Sequence, residues 1–336
     1  MTPLLSIQNL KVHFPIKSGG FLRRKSTKYV RAVDGLSFNI NKGETLGLVG
    51  ESGSGKTTAG RAILRALDPT EGRVLFNLDG KEVDLTQLEG KELRDFRRHM
   101  QFIFQDPFAS LNPRMTVRDI IAEPLVANGI MSGEAVNERV REMAEKCRLN
   151  LEHLRRFPHA FSGGQRQRIG IARALVSDPK FIVCDESVSA LDVSIQADIL
   201  NLLKDLQDEL GVTFLFIAHD LSVVAHISHH VAVMYVGQLV EMAPTDALFF
   251  DPKHPYTEAL MAAIPSVNVM DNVKPVALKG EIPNPINPPS GCRFHTRCSY
   301  VEDKCRQEEP EWREIGEQHF VACHFADNLT LQGRTR

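Results

Sequence analysis

Hydrophobic positions along the first 260 or so residues fall into two textures. Some runs are apolar at nearly every position: "TLGLVG" (45–50), "MQFIFQ" (100–105), "KFIVCD" (180–185) and "VTFLFIA" (212–218). Such runs predict strands covered on both faces, as in a parallel sheet. Between them the spacing turns helical. "GKTTAGRAILRAL" continues directly from the first run, and "VNERVREMAEKCRL" sits in a block, about 113–165, that interrupts the strand series. "LSFNINKGE" and "GRVLFNLDGKEV" carry turn signals at hairpin spacing. The pattern predicts an α/β fold with a mostly parallel core sheet, a small antiparallel β subdomain and an inserted helical subdomain.

The texture changes after about residue 260, which divides the chain into a domain over 1–260 and an extension over 261–336. "KGEIPNPINPPSG" (279–291) is too rich in proline for a helix or a central strand, and reads as an extended connector. The stretch "FPIKSGGFLRRKSTKYVR" (14–31) predicts a surface loop whose cluster Arg23, Arg24 and Lys25 is either simply solvated or a contact for nucleotide or lipid headgroups. No internal repeat is present.

At 336 residues, 43% hydrophobic and 24% charged, the composition is that of an ordinary globular chain. A net charge of −2 gives no reason to expect a nucleic-acid partner. No apolar run reaches the roughly 18–20 residues of a membrane span, and "MTPLLSIQNLKVHF" lacks the pattern of a secretory signal. A cytoplasmic protein, or one held to a membrane by other subunits, is expected. Cys147 and Cys184 read as buried small hydrophobes. Cys292, Cys298, Cys305 and Cys323 cluster in the extension, which in a cytosolic chain favours metal binding over disulfides.

"GESGSGKT" (50–57) matches the phosphate-binding P-loop, between a predicted strand and a predicted helix as the motif requires. Gly50, Glu51, Ser52, Gly53, Ser54 and Gly55 bring backbone N–H groups toward phosphate oxygens. Lys56 adds a point charge, the Thr57 hydroxyl suits Mg²⁺, and Thr58 continues the turn. "FIVCDE" (181–186) is an apolar strand ending in two carboxylates: Asp185 for the Mg²⁺ shell, Glu186 to accept a proton from, or orient, an attacking water. The plainer alternative makes Glu186 a cap on the next helix. Gln105 and His219 also follow apolar strands, and ligands of open α/β sheets bind at such ends. Gln105 could bridge Mg²⁺ and the water, and His219 could hold the γ-phosphate or the water. His226, His229 and His230 read as a surface helix rather than a metal cluster. "FSGGQRQR" (161–168) opens another helix with an anion-binding N-terminus, whose target the sequence leaves open.

In order, "GESGSGKT", Gln105, "FSGGQ", "FIVCDE", "SALD" (189–192) and His219 resemble the ABC transporter ATPases over residues 4 to about 260. "VRAVDGLSF", "FIFQDPFASLNPRMTV", "HPYTEALMAAIP" and the tail "GEIPNPINPPSGCRFHTRC" resemble the bacterial oligopeptide/dipeptide importer ATPases. The resemblance implies hydrolysis of ATP with Mg²⁺, bound by Thr57, Gln105 and Asp185, with Glu186, Gln105 and His219 as catalytic residues. It implies a head-to-tail pair of ATPase subunits in which Ser162, Gly163, Gly164 and Gln165 face the ATP held by the partner, with Asp192 at the interface. A paralogous second ATPase, two permeases and an extracytoplasmic solute-binding protein are the implied partners, on the cytoplasmic face of the inner membrane. Tyr29 is the aromatic assigned to adenine. Two departures from the family pattern are Ser187 in place of proline, at a position that in the family touches neither ATP nor metal, and Phe161 in place of leucine, which keeps the apolar contact.

The same resemblance implies a 4Fe–4S cluster on the four tail cysteines. Their spacing, C-x5-C-x6-C-x17-C, is unlike the tight pairs of zinc ribbons; zinc and free thiols are the alternatives. Peptide is the implied solute, with oligosaccharide, nickel and glutathione as alternatives. A soluble, non-transport ABC ATPase is the distant alternative.

Overall fold

A computed structural model describes residues 2–18, 26–263 and 280–334. Arg23, Arg24 and Lys25, and Lys279 at the start of the proline-rich stretch, lie outside the described residues. Contacts divide the chain into two compact units, one built mainly from Ile40–Thr45 and Gln87–Ile217, the other from Pro3–Asn39, Leu46–Thr86 and Ala218–Arg336.

In the first unit, strands Met100–Ile103, Phe181–Asp185 and Thr213–Ile217 lie side by side and parallel, with Phe102 opposite Val183 and Ile182 opposite Phe214. The second and third strands are buried at every position, which is why their sequences carry no polar alternation. The first is shorter than its apolar run suggests: it ends at Ile103, and Phe104 is 45% exposed. Its four longest helices are Val117–Ala127, Glu134–Lys146, Gly163–Leu175 and Val193–Leu210. Val136, Val140, Met143 and Ala144 form the buried stripe of the second helix. The fourth ends where Gly211 turns left-handed (φ +66°) and returns its N–H to the Gln207 carbonyl.

In the second unit, a four-stranded sheet runs in the order Ser26–Ile40, Leu5–Ser18, Glu71–Leu78, Lys81–Asp84. Asp79 and Gly80, both at positive φ, make the tight turn between the last two strands. A second set begins with Thr45–Val49, parallel to His230–Tyr235, which pairs antiparallel with Gln238–Pro244. The extension then adds strands that the sequence pattern did not reveal: His319–Val321 pairs with Gln238–Pro244, and Arg313–Gly316 pairs with His319–Val321. Residues 280–291 hold neither helix nor strand. Among the described residues, no helix is long and apolar enough to cross a membrane.

Two buried polar contacts tie the extension to earlier strands of this unit. Glu241, fully buried, accepts from the N–H groups of Lys253 and His254 and lies 2.8 Å from His319 Nε2. Arg293, 4% exposed at its side chain, pairs with Asp34, which also meets His13 Nε2 at 2.9 Å. Burial pushes the Asp34 carboxyl up, but the hydrogen bonds from Arg293 and then His13 outweigh it and hold the group below its usual range. A carboxyl shifted down stabilises the fold fully above its unfolded-state value and loses that contribution as pH falls through the folded-state value. Arg293→Ala is therefore expected to cost about 2–3 kcal/mol at neutral pH, because Asp34 loses its buried charged partner and keeps only His13 and the exposed Arg31. The gap in melting temperature between wild type and variant should narrow as pH drops below about 4. Thermal melts from pH 7 to 3 check both statements.

Candidate functional site

The buried strand Thr45–Val49 runs into the loop Gly50–Gly55, and helix Lys56–Ile63 starts at once. Gly50, Gly53 and Gly55 have φ of +148°, +80° and +105°. A Cβ on Gly50 would stand 2.1 Å from the Met234 carbonyl oxygen, and one on Gly55 2.0 Å from that of Ala32. Only glycine fits these two positions. Lys56 is 5% exposed and its Nζ donates to the carbonyls of Gly50 (2.7 Å) and Glu51 (3.0 Å). Ser54 is buried, Ser52 and Gly53 are exposed, and Thr57 and Thr58 are half-buried in the first helical turn. Converging loop amides, a helix start and a lysine make a receptor for a polyphosphate.

The same unit holds His219 and Tyr29. Ala218 N–H donates to the Leu48 carbonyl, so the exposed His219 is next in sequence to a residue hydrogen-bonded to the strand that feeds the loop. Tyr29 stands on Ser26–Ile40 and is half exposed. The three further histidines do not share a helix as expected. Helix Leu221–Ile227 includes His226 but ends before His229, because His230 starts a strand and meets Gln318 Oε1 at 2.6 Å.

The first unit carries the acidic residues. Asp185 is buried at the end of its strand, and the next residue, Glu186, takes a left-handed conformation (φ +44°). Its N–H donates to the Ile217 carbonyl at 2.9 Å, and its own carbonyl accepts from the Ser189 hydroxyl at 2.9 Å. Gln105 Nε2 donates to Glu186 Oε2 at 2.9 Å. Glu186 does not cap the following helix, whose N-cap is Asp192. The carboxylate is instead aimed by Gln105, two residues beyond the end of the neighbouring strand. Ser187 is buried and its hydroxyl makes no hydrogen bond.

"SGGQ" in the same unit closes a capping box. Gln165 N–H donates to Ser162 Oγ (3.3 Å) and Ser162 N–H donates to Gln165 Oε1 (3.0 Å). Ser162 and Gln165 are exposed. Gly163 and Gly164 occupy the first two helical positions, whose N–H groups have no partner within a helix. A Cβ on Gly164 would stand 2.5 Å from Ile195 Cγ2, so the signature turn packs directly on helix Val193–Leu210, at whose start Asp192 is exposed.

Cys292, Cys298, Cys305 and Cys323 line one small pocket with His295 and His324. Burial is the main force raising the thiols of Cys292, Cys298 and Cys323, pushing Cys292 up to about 12 and Cys298 up to about 11. Among the described residues, no group of three or more His, Cys, Asp or Glu side chains is arranged to hold a metal ion. Cys147 and Cys184 are buried and free.

Sequence reasoning missed two residues that touch the phosphate loop. Tyr256 OH accepts from Glu51 N–H at 2.9 Å, and Arg297 donates to both carboxylate oxygens of Glu51, at 2.6 and 3.1 Å. Nothing in the spacing marks either one; an arginine beside a cysteine has no periodicity to betray its partner.

This set of features defines a P-loop nucleotide-hydrolysing protein, and comparison with known proteins narrows the class. The ABC transporter family matches residues 33–189, and the oligopeptide/dipeptide transporter C-terminal region matches residues 240–305. The chain is 50% identical over 325 residues to the oligopeptide transport ATP-binding protein AppF of Bacillus subtilis (strain 168), covering 96% of this chain and 97% of that one. Among solved structures, the ADP- and phosphate-bound dimer of the ATP-binding cassette MJ0796 is similar at 30% identity and a TM-score of 0.60, over 72% of this chain and 98% of that one. cbiO1 of Clostridium perfringens, part of the transporter complex cbiONQ, is similar at 26% identity and a TM-score of 0.62, over 74% and 90%. The chain belongs to the ABC transporter ATP-binding proteins, in the group with the oligopeptide/dipeptide transporter C-terminal region, and is an ATPase.

Gly55→Ala is expected to abolish nucleotide binding, because its Cβ would force the Ala32 strand and the loop apart. Titration with a fluorescent ATP analogue checks this, with circular dichroism to establish that the variant keeps its secondary structure.

Proposed function

We propose that this chain holds MgATP on its own P-loop, completes a partner subunit's ATP site with its signature, and so powers import of di- and oligopeptides through a membrane complex. The length-wide match to an oligopeptide transport ATP-binding protein, from the P-loop through the cysteine-bearing tail, carries the reading. The loop amides, Lys56 and the first helical turn bind the phosphates, and Tyr29 stacks on adenine. Glu186 accepts the proton of the attacking water as its oxygen bonds to the γ-phosphorus and ADP leaves. Gln105 fixes the carboxylate by the bond observed, and His219 holds the γ-phosphate or the water.

Magnesium suits the hard oxygens of the Thr57 hydroxyl, the Asp185 carboxylate and the Gln105 amide, whose nitrogen is already committed to Glu186. When bound, the ion offsets charge on the β- and γ-phosphates. Ser162, Gly163, Gly164 and Gln165, preshaped by the capping box, and the exposed Asp192 face the ATP of the partner, a paralogous ATPase. Two permeases and an extracytoplasmic solute-binding protein complete the assembly, on the cytoplasmic face of the inner membrane. The lack of a spanning helix among the described residues accords with peripheral attachment.

The tail cysteines suit a 4Fe–4S cluster in number and softness, since all four line one pocket. They are not arranged as ready ligands, so binding would have to turn the side chains inward and displace their protons. Such a cluster would be structural, because hydrolysis needs no electrons. An iron and sulfide assay on anaerobically purified protein is expected to find about four of each per chain; neither iron nor sulfide would contradict it. For the reaction, Glu186→Gln keeps the shape and removes the base. Assembled complex with this variant is expected to bind ATP yet lose at least ~100-fold in phosphate release. Retention of most turnover would contradict the assignment.

A further inference from the structure

A carboxylate within a phosphate-binding loop is an electrostatic liability, because it repels the anion that the loop collects. Glu51 is such a carboxylate, the second residue of the loop. Without a partner it would cancel the charge of Lys56 on the same loop.

Its partner comes from the far end of the chain. Arg297 grips the carboxylate with two nitrogens, the planar fork that only arginine offers. The guanidinium is 4% exposed and lies over the Tyr235 ring at 5.8 Å, with a further bond to the Tyr235 hydroxyl at 3.4 Å. Its backbone is fixed as well: Arg297 N–H donates to the Phe294 carbonyl at 3.0 Å. Phe294 meets the rings of Tyr235 and Tyr256 at 5.3 Å each, and these two rings lie 4.6 Å apart. Tyr256 in turn receives the Glu51 amide. Three polar groups of Glu51 are thus engaged: its side chain by Arg297, its N–H by Tyr256, and its carbonyl by Lys56.

We propose that Arg297 is a positioning residue of the ATP site. It neutralises Glu51 and draws its carboxylate onto the Tyr235–Tyr256–Phe294 floor, so the C-terminal extension sets the charge of the phosphate-binding loop. The inference rests on the reading that this loop binds ATP.

The proposal predicts changes in affinity rather than chemistry. With the full chain, Arg297→Ala should weaken ATP binding about tenfold, the scale of one uncompensated charge at intermediate dielectric. In the assembled complex, KM should rise in parallel while kcat stays within about threefold. Glu51→Gln in the Arg297→Ala background should restore binding to within about threefold of wild type, since no carboxylate remains to be neutralised. A purely structural role for Arg297 predicts no such rescue. Glu51→Gln alone leaves the arginine's charge in place and should tighten binding severalfold, a measurement independent of whether Arg297→Ala folds. Unchanged affinity in Arg297→Ala, failure of the double variant to recover, or unchanged or weaker binding in Glu51→Gln would each overturn the proposal. Lys56→Ala is the control on the underlying reading: if it still binds ATP like wild type, the P-loop assignment itself fails.

Discussion

Backbone amides can close on a phosphate only where no side chain intervenes, and the fold around Gly50 and Gly55 enforces that condition. The carbonyls of Met234 and Ala32 occupy the space that any Cβ would need. Met234 lies on the strand paired with Thr45–Val49, and Ala32 lies on Ser26–Ile40 of the four-stranded sheet, so the loop takes its shape from strands of two sheets. The same crowding continues one turn back: a Cβ on Gly47 would stand 2.2 Å from Val224 Cγ1, which seats helix Leu221–Ile227 against the strand. His219 precedes that helix, so its location follows from the packing that shapes the loop.

Charge in this unit is organised between the two ends of the chain. Glu241 is fully buried, Asp34 nearly so and Glu51 partly, and each is met by a residue of the extension: His319, Arg293 and Arg297. Leaving such a group alone is expensive, whereas the paired state costs little. The extension is therefore not an appendage hung on a finished ATPase. Its strands extend the pairing of Gln238–Pro244, and its two arginines and His319 meet carboxylates of the earlier sequence.

What the sequence made legible was whatever depends on local pattern. The strands 181–185 and 213–217 and the P-loop helix follow from apolar runs and glycine spacing; the strand boundaries differ by a residue, and the helix ends at Ile63, four residues short of its apolar pattern. The Met100–Ile103 strand was overread because Phe104 and Phe102 are apolar yet meet each other in a tilted contact outside the core, their centroids 4.8 Å apart. The Gln105–Glu186 bond joins residues that the sequence singled out separately but could not join. Contacts across long separations were invisible. Arg297 and Glu51 are 246 positions apart, and neither carries a signal of the other. The extension's strands were hidden too, because runs as short as "REIG" and "HFV" carry no usable period.

The account turns on ATP being shared between chains: loop from one subunit, signature from the other. Cryo-electron microscopy of the assembled transporter, trapped with ATP, tests this most directly. Ser162 Oγ and the amide of Gly163 should lie within hydrogen-bond distance of a γ-phosphate held by the P-loop of the partner subunit. A map in which ATP rests on the P-loops while both signatures face solvent would contradict it.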